Sequence, residues 1–252
     1  MTEPTTAESP DRNGWVNLIL PLIAIMTLST PGCIAQESNY YEIDTSYGIM
    51  VVRLYDETPI HRDNFKKLVA EGFYDNTLFH RVIANFMVQG GDPNSKDDDP
   101  TNDGLGGPGY TITAEFNPNF IHKKGAIAAA RQGDEFNPNR ESSGSQFYLV
   151  HGQVYTDEIL SRIETMIKKK AGPDFQFTDD VRRIYATEGG TPQLDMDYTV
   201  FGEIVEGLDV LDAIANTDTP KKLGQPAPRG LADRPTEDIR ITIRHLPNYS
   251  AN

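Results

Sequence analysis

The residues best suited to chemistry lie in five short stretches: FHRVIANFMVQGGDP (79–93), GGPGYTITAEF (106–116), GAIAAAR (125–131), SSGSQFYLV (142–150) and LDMDYTVFGEIVEG (194–207). They supply two arginines, Arg81 and Arg131, and the guanidinium of Arg81 is a fixed fork of donors. They also supply two amides, Gln89 and Gln146, which can both donate and accept, and the apolar or aromatic side chains of Phe86, Met87, Tyr148 and Leu194. Such a set could hold a peptide backbone, seat an apolar ring and place a cation beside it. Other chemistries find less support. SGSQF lacks the GxSxG elbow of a serine hydrolase. His61, His80, His122, His151 and His245 show no metal-ligand spacing such as HExxH. In the acidic run KDDDPTND (Lys96 to Asp103), Gly104 falls at the sixth position counted from Asp99. Tyr110 then stands where a calcium loop needs its bidentate Glu, so the run reads as a solvated acidic loop.

In their order and spacing these stretches resemble the cyclophilin family of peptidyl-prolyl isomerases, over nearly all of Tyr40 to Ile243 outside one insertion. The resemblance implies a mainly β fold: a closed antiparallel eight-stranded barrel capped by two helices, with the groove on its outer face. It also implies an enzyme that rotates X–Pro bonds in unfolded or partly folded polypeptides, a monomer with no metal or other cofactor. Rotation breaks amide resonance, a barrier of about 20 kcal/mol that makes the uncatalysed step take roughly 10–100 s. A catalyst needs a pocket for the proline ring, a hold on the flanking backbone and a donor that favours the twisted amide.

By resemblance Arg81 is the catalytic donor, contacting the carbonyl before proline and stabilising lone-pair density on the prolyl nitrogen. Phe86, Met87, Tyr148 and Leu194 become the pocket, with Gln89 and Gln146 holding the substrate backbone. Ala130 and Arg131 border the groove and Tyr198 lies near the substrate. His80 is counted with the substrate-binding residues as the neighbour of Arg81, either orienting it or serving as an ordinary buried or bordering histidine. As neighbours on a strand, Phe86 and Met87 would face opposite sides, so their sharing a pocket rests on the resemblance. Arg131 stands where Asn is frequent, Tyr148 where Phe is common, Tyr198 where many members have His, and Gln193 where many eukaryotic members have Trp. A noncatalytic proline-peptide binding module and a holdase-like chaperone acting through the insertion are the competing readings. Arg81 kept together with Phe86 and Gln89 favours the enzyme.

The elements that must position these residues are short. Tyr40 to Asp44 and Ile49 to Tyr55 are β-prone runs separated by TSYG (45–48), a hairpin signal. A helix follows with Thr58 as N-cap, Pro59 at its first position and Gly72 at its end; Ile60, Phe65, Leu68 and Val69 form its apolar face. Leu208, Leu211 and Ile214 mark a second amphipathic helix, and DIRITIR (238–244) alternates as a strand. Between Val154 and Pro192 the composition turns to helix formers. Ile159, Ile163 and Ile167 recur every four residues until AGP (171–173), and a second helix after Thr178 carries Val181, Ile184 and Tyr185 before Gly189. This 154–192 insertion reads as a helical pair decorating one barrel end.

Composition bounds the partners and the compartment. A formal charge of -14 repels nucleic-acid phosphates, and 38% hydrophobic with 24% charged residues fits a soluble globular chain. The apolar stretch from Trp15 to Leu28 is short for a permanent bilayer span and suits the core of a secretory signal. The lone cysteine, Cys33, follows STPG (29–32) as in a bacterial lipobox. Glu3, Glu8 and Asp11 against Arg12 are unusual for a signal, and Thr30 and Pro31 depart from the lipobox pattern. Residues 1–36 therefore read as an export segment and 37–252 as the isomerase domain, with Cys33 a lipidation site attaching it to a membrane. The expected location is periplasmic or lipid-anchored to a bacterial membrane. Cleavage after Ala35 and an uncleaved anchor are the alternatives.

Overall fold

Alternation of apolar side chains along short strands builds a two-faced sheet. The computed structural model describes residues 38–249. In chain order its elements are β1 (Tyr40–Thr45), β2 (Gly48–Leu54), α1 (Pro59–Ala70), β3 (Thr77–Leu78), β4 (Arg81–Ile83), β5 (Met87–Gly90), β6 (Thr111–Ile112), β7 (Ala126–Ala129), β8 (Ser142–Ser143), β9 (Phe147–Val150), α2 (Asp157–Ala171), α3 (Asp179–Thr187), β10 (Val200–Glu206), α4 (Leu208–Ala215) and β11 (Arg240–His245). Nine strands form one antiparallel sheet in the order β3-β11-β1-β2-β10-β7-β9-β5-β4, and β6 pairs with β8 separately.

The two ends of this ladder, β3 and β4, are separated in the chain only by Phe79 and His80. Three residue steps reach at most about 11 Å, so the sheet must curl until its ends meet at residues 77–83. One half of that segment pairs with β11 and the other with β5. Counted as one interrupted strand, the segment brings the number to the expected eight.

Inward residues Val88, Ile127, Phe147 and Leu149 join Ile43, Val52 and Phe201 in a single core, into which α1 packs Phe65 and Leu68 and α4 packs Leu211 and Ile214. Their strand neighbours face outward. Met87, Ala126, Ala128, Tyr148, Val150 and Val200 form a second apolar cluster on the outer side. The expected insertion is present as α2 and α3, which share a small core of Leu160, Ile163, Ile167, Phe177 and Tyr185. Thr156 and Thr178 cap the two helices, each accepting from a backbone N–H three residues on.

Three details differ from the sequence reading. Ile60, Ile159 and Leu208 are 46%, 43% and 42% exposed. In α2, Leu160 rather than Ile159 is buried, because a spacing of four overshoots the 3.6-residue turn and drifts off one face. Thr58 occupies the N-cap of α1 but its hydroxyl caps nothing. The Glu115 carboxylate accepts from the backbone N–H groups of Ile60 and His61 instead, at 3.1 and 2.9 Å.

Gly91 shows how tightly β5 passes β9. Its φ is +85°, and a Cβ there would stand 2.4 Å from the Ser145 carbonyl oxygen. Gly91→Ala is expected to cost at least about 1–3 kcal/mol in unfolding free energy, the scale of left-handed strain in a non-glycine residue. Urea denaturation checks this: a midpoint equal to that of the intact protein would contradict the close approach.

Candidate active site

The outer face of β4, β5 and β9 carries the candidate site. Strand register sets Arg81 opposite Gln89 and Gln89 opposite Tyr148, so the arginine, the amide and the ring stand in one row across three strands. Below that row, Met87 and Ala130 help line a cavity of about 180 Å³. Phe86 shares it with Met87 because it is not in the strand. It sits in the turn between β4 and β5, where Asn85 adopts a left-handed φ of 62°. His151 holds that turn: its Nδ1 accepts from the Asn85 N–H at 2.9 Å, and its own N–H donates to the Phe86 carbonyl at 3.1 Å. Leu194, Tyr198 and Arg131 complete the wall.

A polar chain runs along the rim. Arg81 Nη1 donates to Gln89 Oε1 at 3.2 Å, and Gln89 Nε2 donates to Gln146 Oε1 at 3.0 Å. Gln146 Nε2 in turn donates to the carbonyls of Gly104 and Gly106 at 3.1 and 2.8 Å. Arg81 is therefore aimed along the rim by a relay that ends on the 104–106 loop. Nine of the eleven expected residues line one cavity: Arg81, Phe86, Met87, Gln89, Ala130, Arg131, Tyr148, Leu194 and Tyr198. Gln146 stands outside and reaches it through Gln89.

His80 lies elsewhere. It is 5% exposed, and Nε2 would meet a Cβ on Gly104 at 3.5 Å. It supports the loop that holds Gln146 and makes no hydrogen bond to Arg81. Gln193 does not line the cavity either; it accepts from the Tyr155 hydroxyl at 3.4 Å.

A profile of the family described as cyclophilin type peptidyl-prolyl cis-trans isomerase/CLD matches residues 40–245. The chain belongs to this family. A Staphylococcus saprophyticus protein named as a peptidyl-prolyl cis-trans isomerase is 34% identical over 201 residues, 78% of this chain and 86% of that protein. A Streptococcus pyogenes protein named as a bifunctional phosphatase and peptidyl-prolyl cis-trans isomerase is 35% identical over 205 residues, 79% of this chain and 37% of that protein. Among solved structures, a Cryptosporidium parvum cyclophilin type isomerase superposes with a TM-score of 0.56 at 25% identity, covering 84% of this chain and 99% of that one. The activity of this cyclophilin is isomerisation of X–Pro peptide bonds.

Sequence reasoning missed the buried groups behind the cavity wall. The Tyr148 hydroxyl meets His122 Nε2 at 3.0 Å, His122 Nδ1 meets Asp195 Oδ1 at 2.7 Å, and the Tyr185 hydroxyl donates to Asp195 Oδ2 at 2.6 Å. Asp197 accepts from Arg131 Nη2 at 2.7 Å and from Lys170. The available signal was Tyr148 itself, since a phenol placed where the family commonly has Phe needs a buried partner. Burial, then the nearby Tyr198 and Asp195, push its phenol well above the ordinary value, so it remains a neutral donor. A second buried string, Ser142 Oγ to His61 Nε2 at 2.9 Å and His61 Nδ1 to Glu115 at 2.6 Å, has the order of a hydrolase triad. Ser142 and His61 are each 2% exposed, so the string braces α1.

Burial pushes the His80 imidazole down to about 4, with the Arg81 charge adding to that and Asp92 opposing it. Below its ordinary value near 6.5, the unfolded chain takes up a proton that native His80 refuses. Stability is therefore lost as pH falls through that window, by on the order of 3 kcal/mol at about 1.4 kcal/mol per unit. Relative to His80→Leu, the intact protein should lose about that much more unfolding free energy between pH 7 and pH 4. Equal slopes in urea titrations would count against a neutral, buried His80.

Proposed function

We propose that Arg81 is the catalytic group and that the cavity beside it receives the proline ring of an unfolded or partly folded polypeptide. One observation carries this reading: a guanidinium stands at the rim of an apolar cavity, and among the described residues only Gln89 bonds it, through a single nitrogen. Among the described residues its remaining N–H groups have no partner, which leaves them for a substrate carbonyl. As the amide twists, its nitrogen gains lone-pair density and its carbonyl carbon–oxygen bond loses conjugation. A fixed cation close by lowers the energy of that redistribution more than that of the planar ground state, which is what acceleration requires. Phe86, Met87, Leu194 and the Tyr148 ring exclude water from the proline, strengthening the electrostatic contribution. Gln89 and the 104–106 loop align Arg81, and Gln146 links the two.

Exchange NMR on a proline tetrapeptide tests the assignment with the full-length protein. Arg81→Ala should lower kcat/KM about 10²–10³-fold, the usual cost of removing one transition-state donor, while peptide affinity changes less than about threefold. Persisting catalysis in the variant would remove Arg81 from the role. Peptide binding without exchange in the intact protein would leave a recognition module.

The division into an export segment, 1–36, and an isomerase domain, 37–252, belongs to the same proposal, and so does attachment to a bacterial membrane through lipid on Cys33. The export segment and Cys33 lie outside the described residues. Their support is the apolar run from Trp15 to Leu28 and the small-residue stretch before a lone cysteine. Mass spectrometry of membrane-fraction protein should find a diacylglyceryl adduct on Cys33; unmodified Cys33 in that fraction would refute lipidation.

A further inference from the structure

The helical pair is joined to the candidate proline cavity by two polar arms. The first starts at Tyr185 in α3. Its ring is fully buried within the small core of the pair, while its hydroxyl leaves that core and donates to Asp195 Oδ2 at 2.6 Å. The other oxygen of Asp195 accepts from the His122 backbone N–H at 2.8 Å and lies 2.7 Å from His122 Nδ1. A carboxylate only accepts, so Nδ1 is the donor to Asp195, and Nε2 meets the Tyr148 hydroxyl at 3.0 Å. Every donor in this string has one acceptor. Tyr148, His122 and Asp195 are each at most 4% exposed, so water does not compete for these bonds.

The second arm starts at Lys170 in the last turn of α2. Its ammonium donates to Asp197 Oδ2. Asp197 also takes Arg131 Nη2 on Oδ1 at 2.7 Å and Arg131 Nε on its backbone carbonyl at 2.9 Å. Held this way, the Arg131 guanidinium lies 4.6 Å from the centre of the Tyr198 ring. Tyr198 meets Tyr148 edge to face, with ring centres 5.9 Å apart at 81°. The arms therefore converge on adjoining parts of one wall.

The base of the insertion is equally fixed. Gln153 and Gly190 exchange backbone hydrogen bonds, and the Thr191 N–H donates to the His122 carbonyl at 2.8 Å. A Cβ on Gly190 would stand 2.3 Å from that same carbonyl. Both ends of the insertion thus meet the chain beside His122, and the pair cannot shift without carrying the first arm along.

We propose that α2 and α3 are a positioning element for substrate recognition, with Tyr185 setting the Tyr148 ring through Asp195 and His122, and Lys170 setting Arg131 and Tyr198 through Asp197. The proposal rests on the reading that this cavity holds the substrate proline. It assigns the insertion a task beyond covering a barrel end. Tyr185 and Lys170 touch no substrate; they are positioning residues whose loss loosens the wall and leaves Arg81 in place.

The test uses full-length protein, a proline tetrapeptide and two variants, Tyr185→Phe and Lys170→Met. Tyr185→Phe keeps the ring in its core and removes only the hydroxyl. Lys170 is about half-exposed, so its replacement probes the second arm at little risk to folding. Each should raise KM about three- to tenfold, the loss of roughly one hydrogen bond's constraint, with kcat held within about twofold. Tyr185→Phe should also shift the imidazole ¹⁵N resonances of His122, because Asp195 loses one donor and its carboxylate draws more strongly on the Nδ1 proton. Added to Tyr148→Phe, it should raise KM no further, because the arm acts through that hydroxyl. If peptide shifts the resonances of Ala130 and Tyr148 in the intact protein but both variants keep the parent KM, the positioning role falls while the cavity assignment stands. If peptide shifts none of the cavity resonances, the cavity assignment falls and this proposal with it.

Discussion

A strand cannot aim two consecutive side chains at the same face, and this constraint ties the candidate site to the core. On β5 and β9, Val88 and Leu149 are sealed inside while Gln89 and Tyr148, their immediate neighbours, form the outer wall. The inner side chains contribute roughly 1.5–3 kcal/mol each by burial, whereas a polar link along the rim is worth about 1 kcal/mol. The core therefore sets where each backbone lies, and the rim links choose among the side-chain positions that remain. Arg81 can be presented by a single hydrogen bond because the strand beneath it is already held by the larger effect.

The polar groups behind the wall follow a different economy. A carboxylate and an imidazole at 4% and 0% exposure carry a heavy desolvation cost, and such a pair adds little net stability even when well made. What it adds is direction. Every donor of the string has one acceptor, so alternative arrangements of the wall leave a buried polar group without a partner, at about 1–3 kcal/mol apiece. A cavity wall that must stay ordered benefits from this arrangement more than from further hydrocarbon.

Much of this was legible beforehand. The hairpin of β1 and β2, the end of α2, the limits of α3 and the final strand announce themselves through local patterns: alternation, caps, and glycines at turns. The cavity residues were legible only through the resemblance to the cyclophilin family. The failures share a physical origin. Ile159 misled because a spacing of four only approximates a helical turn. Phe86 could not be paired with Met87 from alternation because it belongs to the turn before the strand. Thr58 has the right position for a cap, but a carboxylate 54 residues away in sequence from His61 does the capping. The partnership of Lys170 with Asp197 and of Tyr185 with His122 depends on where the insertion lands, and no local pattern carries that information.

The interruption at Phe79 and His80 has one more consequence. An open sheet ends in a row of unsatisfied N–H and C=O groups, a template on which any extended chain can add itself. Here the two terminal strands of the ladder are only two and three residues long, and both belong to the same segment. A protein that isomerises X–Pro bonds in polypeptides meets extended chains. By using a single segment for both ends of its sheet, this fold offers them almost no backbone to zip onto.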